Sequence, residues 1–188
     1  MTLERGPKGG ILRDMGSHVI DQMLCLFGPV ASVHAHLDMI DDPAGPTDAG
    51  FVVSMTHDSG VFTQVSSSKL NRIAENEYRV YGENGCYLSR MSDVQAQAIF
   101  SGKRPADDLD SWGYEIEDRW GELRTGAGVT KVPSMQGRYH DYYEAFANAV
   151  VTGTEPPVTV SQAISVLGVL DAARQSATEG RTIVPERG

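Results

Sequence analysis

Two short connections constrain this fold more than anything else in the chain. His57-Asp58-Ser59-Gly60 joins a run from Ala49 to Thr56 to another from Val61 to Ser68. Gly82-Glu83-Asn84-Gly85 joins Glu77-Tyr78-Arg79-Val80-Tyr81 to Cys86-Tyr87-Leu88. Connections of this length allow antiparallel pairing, whereas a parallel pair needs a crossover of a dozen residues or more. The run from Val30 to Ile40 adds a further strand, with Val33, Ala35, Leu37 and Met39 on one face and Ser32, His34, His36 and Asp38 on the other. Asp41-Asp42-Pro43-Ala44-Gly45-Pro46 is a loop by its turn-forming residues.

Helical spacing frames these strands. Ile11, Leu12, Met15, Val19, Ile20, Met23 and Leu24 recur at positions that can face a core, in a helix opening at Gly9-Gly10 and stopping at Gly28-Pro29. A helix near Met135 to Thr152 carries Tyr139, Tyr142, Tyr143, Phe146 and Val150 on one side. A last helix from about Ser161 to Glu179 stops at Gly180, and the short strand Thr182-Ile183-Val184 follows. Residues 101–134 carry no readable period, since Gly102, Pro105, Gly113, Gly121, Gly126 and Gly128 interrupt them, although Trp112, Tyr114, Ile116 and Trp120 suggest a strand or a packed loop. The predicted class is α+β: a predominantly antiparallel open sheet with helices packed on one face, in one domain over residues 1–188. If the open face is apolar, a partner subunit covers it, which predicts a homo-oligomer.

A net charge of −9 argues against a nucleic-acid or anionic-membrane partner. No run is long and apolar enough for a membrane span, and Met1-Thr2-Leu3-Glu4-Arg5-Gly6 does not open a signal peptide. Cys25 and Cys86 make neither a disulfide framework nor a metal site, which fits a cytoplasmic protein.

The chemistry-bearing stretch is Gly9-Gly10-Ile11-Leu12-Arg13-Asp14-Met15-Gly16-Ser17-His18-Val19-Ile20-Asp21. Asp14 and His18 are four apart and His18 and Asp21 three apart, so on a regular helix all three lie on neighbouring turns. A carboxylate one turn from an imidazole can orient the ring for proton transfer. Spacing alone more often marks a surface histidine with acidic neighbours. His34, His36 and Asp38 share a strand face and, with His57, would form a zinc set if they converged; two histidines alternating on a strand are commonly just its polar face, and no metal site is expected.

Three blocks together resemble the C-terminal domain of the Gfo/Idh/MocA oxidoreductases, the glucose–fructose oxidoreductase and inositol dehydrogenase group. They are the stretch from Gly9 to Asp21, the turn Tyr81-Gly82-Glu83-Asn84-Gly85, and the ending. The ending runs from Tyr143-Glu144-Ala145-Phe146 through Glu155-Pro156-Pro157-Val158 to Ala172-Ala173-Arg174-Gln175-Ser176-Ala177 and Gly180. In such enzymes a Rossmann domain binds NAD or NADP, and the C-terminal domain supplies the substrate pocket. By this resemblance His18 is the proton-transfer histidine and Asp14 its acidic partner, with Asp21 structural. Lys69, Asn71 and Arg72, at a strand end, are candidates to line a pocket for a sugar, inositol or related polyol; Tyr139 and His140 are weaker ones.

The chain departs from the family in having no strand followed by Gly-x-Gly-x-x-Gly. Gly126-Ala127-Gly128 lacks the third glycine, whose place is taken by Lys131, and the family's Glu-Lys-Pro segment is missing as well. The expectation is therefore the substrate-binding and oligomerisation part of a longer NAD(P)-dependent enzyme, without hydride transfer of its own. The alternative is a stand-alone, non-catalytic oligomerisation or ligand-binding module derived from that family. A third reading, a carbohydrate hydrolase acting through bound NAD, needs the same missing domain.

Overall fold

The computed structural model describes residues 9–41, 43, 45–72 and 76–187. The signal-peptide reading of the first residues, and Asp42 and Ala44 of the expected loop, lie outside them. The chain divides into two compact units, one of Met1–Arg72 with Val158–Gly188, the other of Ile73–Pro157.

The first unit carries the residues singled out in the opening helix. Its sheet is β1 (Val30–Ile40), β2 (Thr47–His57) and β3 (Phe62–Ser68), in that order and antiparallel throughout. Alternation decides which face is covered. Val33, Ala35, Phe51, Val53, Met55 and Val65 are buried, while His34, His36, Val52, Thr56, Gln64 and Ser66 between them are exposed. Helices α1 (Ser17–Phe27) and α4 (Val160–Glu179) pack on the buried side, α4 against β1 and α1 against β3 and α4. Ile20 and Met23 of α1 and Val166, Val169, Leu170 and Ala173 of α4 complete this core. Each fully buried aliphatic side chain contributes about 1.5–3 kcal/mol relative to exposure, so these helices are held by packing.

The last helix begins one residue before the expected serine. Thr159 caps it, its hydroxyl accepting from the Gln162 amide while the Gln162 side chain returns to the Thr159 amide. At its far end Gly180 takes φ +65°, and the buried Ser176 hydroxyl donates to the Arg181 carbonyl and accepts from the Ala35 amide at 3.0 Å. The expected closing strand is a single bridge, Ile183 to Val33.

The open face of this sheet is mainly polar. His34, His36, Asp38, Thr56, Gln64 and Ser66 stand exposed there, with Val52 and Phe62 among them.

The second unit is built on a separate antiparallel sheet, β4 (Tyr78–Gly82), β5 (Gly85–Ser89), β6 (Gly121–Thr125) and β7 (Gly128–Val132), in that order. The predicted Gly82–Gly85 hairpin is present, with those two glycines paired. The unreadable region forms the β6–β7 hairpin and two short 3-10 turns, Pro105–Asp107 and Glu117–Arg119. Helix α2 (Val94–Phe100), which the sequence reading missed, starts where the Asp93 side chain accepts from the Ala96 amide. Gln95 is its buried centre: the side-chain oxygen accepts from Trp112 Nε1 at 3.1 Å and from the Tyr139 amide at 2.9 Å. Helix α3 (Tyr139–Thr152) buries Ala149 and leaves Tyr142, Tyr143, Phe146 and Val150 exposed, so its expected apolar side is not packed.

Candidate functional site

The opening segment is not the plain α-helix that the spacing predicts. Gly10 takes φ +121°, Leu12–Gly16 form one π-helical turn, and α1 begins only at Ser17. A π turn bonds i to i+5 and so takes in one more residue than an α turn; such single turns occur often at functional sites. Ile11 and Leu12 are fully buried and anchor the turn in the core. The Ser17 hydroxyl donates to the Asp14 carbonyl at 3.0 Å across the junction with α1.

Asp14 lies inside this turn, and its partner is a lysine. Lys69 Nζ approaches Asp14 Oδ2 at 3.2 Å, with side-chain exposures of 27% for the lysine and 35% for the aspartate. The strand register explains why Lys69 reaches it. Residue 69 follows Thr63, Val65 and Ser67 in alternation, so its side chain continues the helix-covered face beyond the end of β3. Its amide donates to the Ala49 carbonyl at 2.9 Å, extending the β2–β3 ladder by one step.

His18 stands in the first turn of α1, exposed and with no hydrogen-bonding partner among the described residues. The expected Asp14–His18 contact is absent, because the Asp14 carboxylate is directed to Lys69 instead. Asp21 is exposed and likewise unpartnered. Asn71 Nδ2 donates to the Ser68 carbonyl at 3.1 Å, closing the turn that follows β3, and Arg72 is exposed beside it. Tyr139 and His140 belong to the second unit, where the Tyr139 hydroxyl donates to Asp93 and His140 Nε2 lies 3.2 Å from Asp141.

Asp48 is the residue that sequence reasoning missed. It is 4% exposed, and its Oδ2 accepts from the Leu12 amide at 2.6 Å, at the entrance to the π turn. Its even position in β2 predicts an outward side chain. The structure turns it inward with a bulge: Asp38 pairs with Gly50 and Met39 with Asp48, leaving Ala49 as an extra residue. Met39, expected on the core face, is 55% exposed.

The histidines of the sheet do not converge. His57 is 1% exposed on the covered face, opposite His34 and His36. Its Nδ1 lies 2.7 Å from the Gly28 carbonyl, which can only accept, so in the neutral ring Nδ1 donates and Nε2 accepts from the Thr63 hydroxyl at 3.0 Å. Among the described residues no group of three or more His, Cys, Asp or Glu side chains is gathered as a metal would require. No described helix is long and apolar enough to cross a membrane.

The chain matches the model of the oxidoreductase family's C-terminal α/β domain over residues 2–185. It belongs to the Gfo/Idh/MocA oxidoreductases, as their C-terminal domain. Among curated members, scyllo-inositol 2-dehydrogenase (NADP(+)) IolW of Bacillus subtilis is 31% identical over 188 residues, covering 97% of this chain and 51% of the relative. The uncharacterized oxidoreductase YdgJ of Escherichia coli K12 is 30% identical, covering 95% of this chain and 51% of that protein. The solved structure of yvaA from Bacillus subtilis superposes with a TM-score of 0.85 at 29% identity, over 97% of this chain and 52% of that one. The chain thus spans about half the length of these Gfo/Idh/MocA relatives.

Enzymes of this family are NAD(P)-dependent. The one glycine pair that approaches a dinucleotide motif does not form its cradle. Gly126 and Ala127 form the turn between β6 and β7, a hairpin, whereas a pyrophosphate cradle needs a strand leading into a helix N-terminus.

Proposed function

We propose that this chain is the substrate-binding and catalytic part of an NAD(P)-dependent oxidoreductase acting on a hydroxyl of a sugar, inositol or related polyol. The observation that carries the reading is the arrangement at the head of α1: an ion pair, Asp14–Lys69, one turn before an exposed histidine with no partner of its own. An exposed, unpartnered imidazole is free to accept a proton from a substrate hydroxyl and to return it in the reverse direction. Lys69, held by Asp14, would present a cation to the reacting oxygen, and Asp14 an acceptor to a neighbouring hydroxyl. Asn71 and Arg72 would extend a polar lining suited to a polyol. The name of the IolW relative supports that substrate class.

NAD(P) would supply the hydride acceptor, held by a dinucleotide-binding region for which the relatives have room in the half of their length that this chain does not match. Self-association through the open face of β1–β3 would rest on its exposed hydroxyl, amide and imidazole groups, with Val52 and Phe62 as its apolar contacts. The hairpin position of Gly126 and Ala127 favours a second reading, a non-catalytic polyol-binding module.

His18→Ala in the native gene product separates the two. Loss of a proton-transfer histidine lowers kcat for polyol oxidation by about 10²–10⁴-fold, with NAD(P) binding retained. A variant with wild-type kcat would overturn the assignment of His18. Polyol binding without turnover in the wild-type protein would favour the module.

A further inference from the structure

We propose that Asp48 is a positioning residue, which together with the bulge at Ala49 sets the Asp14–Lys69 pair in place. The proposal rests on the reading of that pair as part of the site. Two adjacent residues of β2 hold its two sides. The Asp48 carboxylate accepts from the amide of Leu12, two residues before Asp14, at 2.6 Å. The Ala49 carbonyl accepts from the amide of Lys69 at 2.9 Å.

The geometry is specific to a carboxylate reaching from a strand. Gly10 takes φ +121°, and a Cβ there would overlap the Asp48 side chain, so the carboxylate lies directly against the backbone that opens the π turn. The turn and α1 run on without a break, and an anion at their start complements the unpaired amides of a helix N-terminus. Were Ala49 paired in unbroken alternation instead of bulged, Asp48 would face outward with Val52 and Ser54, and the Leu12 amide would be left without this acceptor. The bulge therefore does two things. It brings a buried acceptor to the Asp14 side of the pair, and it holds the carbonyl that fixes the Lys69 side.

Amide hydrogen exchange on the native gene product tests this. In Asp48→Ala the Leu12 and Asp14 amides exchange at least about tenfold faster, while Val33 and Val53 in the sheet keep their wild-type rates. Asp48→Asn, which retains a side-chain oxygen at the same reach, keeps the protection. Where Asp48→Ala does not fold, Asp48→Ser, whose hydroxyl stops short of Leu12, makes the same comparison. Unchanged exchange at Leu12 and Asp14 would overturn the proposal, and so would a rise shared equally by Val33 and Val53, which marks general destabilisation. In the native enzyme Asp48→Ala lowers kcat by about 10–100-fold with the KM for NAD(P) unchanged; an unaltered kcat also overturns it. Failure of the site reading itself shows separately, as an active His18→Ala enzyme, and leaves the exchange pattern as it is.

Discussion

Breaking the Asp14–Lys69 pair from either side should cost the same small, salt-sensitive amount of stability. At 3.2 Å two unit charges attract by about 1.3 kcal/mol in bulk water and about 5 kcal/mol at an effective dielectric near 20. With side chains 27% and 35% exposed, solvent screening and the ordering of the lysine stem remove most of the larger figure. The expected coupling is about 0.5–1 kcal/mol, the upper end of the range for exposed pairs. A double-mutant cycle of wild type, Asp14→Asn, Lys69→Met and the double variant, read by urea unfolding at low salt, isolates it. In 1 M sodium chloride, where the screening length is about 3 Å, the coupling should shrink towards zero. A coupling below about 0.2 kcal/mol at low salt would mean that the two groups share a region without holding one another. The argument that Asp14 is occupied by Lys69, and so unavailable to His18, would then fail.

Two further outcomes test the second unit. Gln95→Ala removes the acceptor shared by Trp112 Nε1 and the Tyr139 amide, and leaving one buried and one part-buried donor unpaired should cost about 1–3 kcal/mol, measured as a lowered urea midpoint. Burial pushes the Glu115 carboxyl up, but the Ser92 amide and hydroxyl, the Ile116 amide and the nearby Arg119 outweigh it and hold the group below its ordinary value of 4.5. A carboxyl depressed on folding adds stability above its unfolded value, which is lost as pH falls through the folded one. Wild type should therefore lose more stability than Glu115→Gln as pH is lowered below about 4.5; parallel pH profiles would remove Glu115 from that account.

Much of the architecture was legible because simple periods carry it. The strand from Val30 to Ile40 has the expected bounds, and both short turns give the antiparallel hairpins they predict. Gly28, Gly153 and Gly180 end their helices at positive φ, as terminal glycines should. Residues 101–134 failed because their order comes from distant partners. Trp112 is buried by its bond to Gln95, and the Gly137 amide reaches the Gly113 carbonyl, contacts with no local signature. The Tyr-rich side of α3 failed in the opposite sense, since its period is regular and yet it is not packed in the structure.

The site was half legible, for one physical reason. Asp14, His18 and Lys69 were all identifiable, but their pairing depends on two insertions of a single residue. A bulge adds Ala49 to a strand and turns Asp48 inward. A π turn adds a residue to a helical turn, and Asp14 within it faces Lys69 in place of the imidazole four positions on. Each leaves the hydrophobic pattern around it intact, because the core positions on either side, Phe51 and Val53 in one case and Leu12 and Ile20 in the other, remain buried. Period-based reading recovers those core positions and assumes unbroken register between them. Both insertions re-aim a carboxylate, and the two carboxylates lie on the same short stretch of backbone, one at the amide of Leu12 and the other two residues later. The irregularities that hid Asp48 from the sequence and re-aimed Asp14 are thus the same ones that build the candidate site.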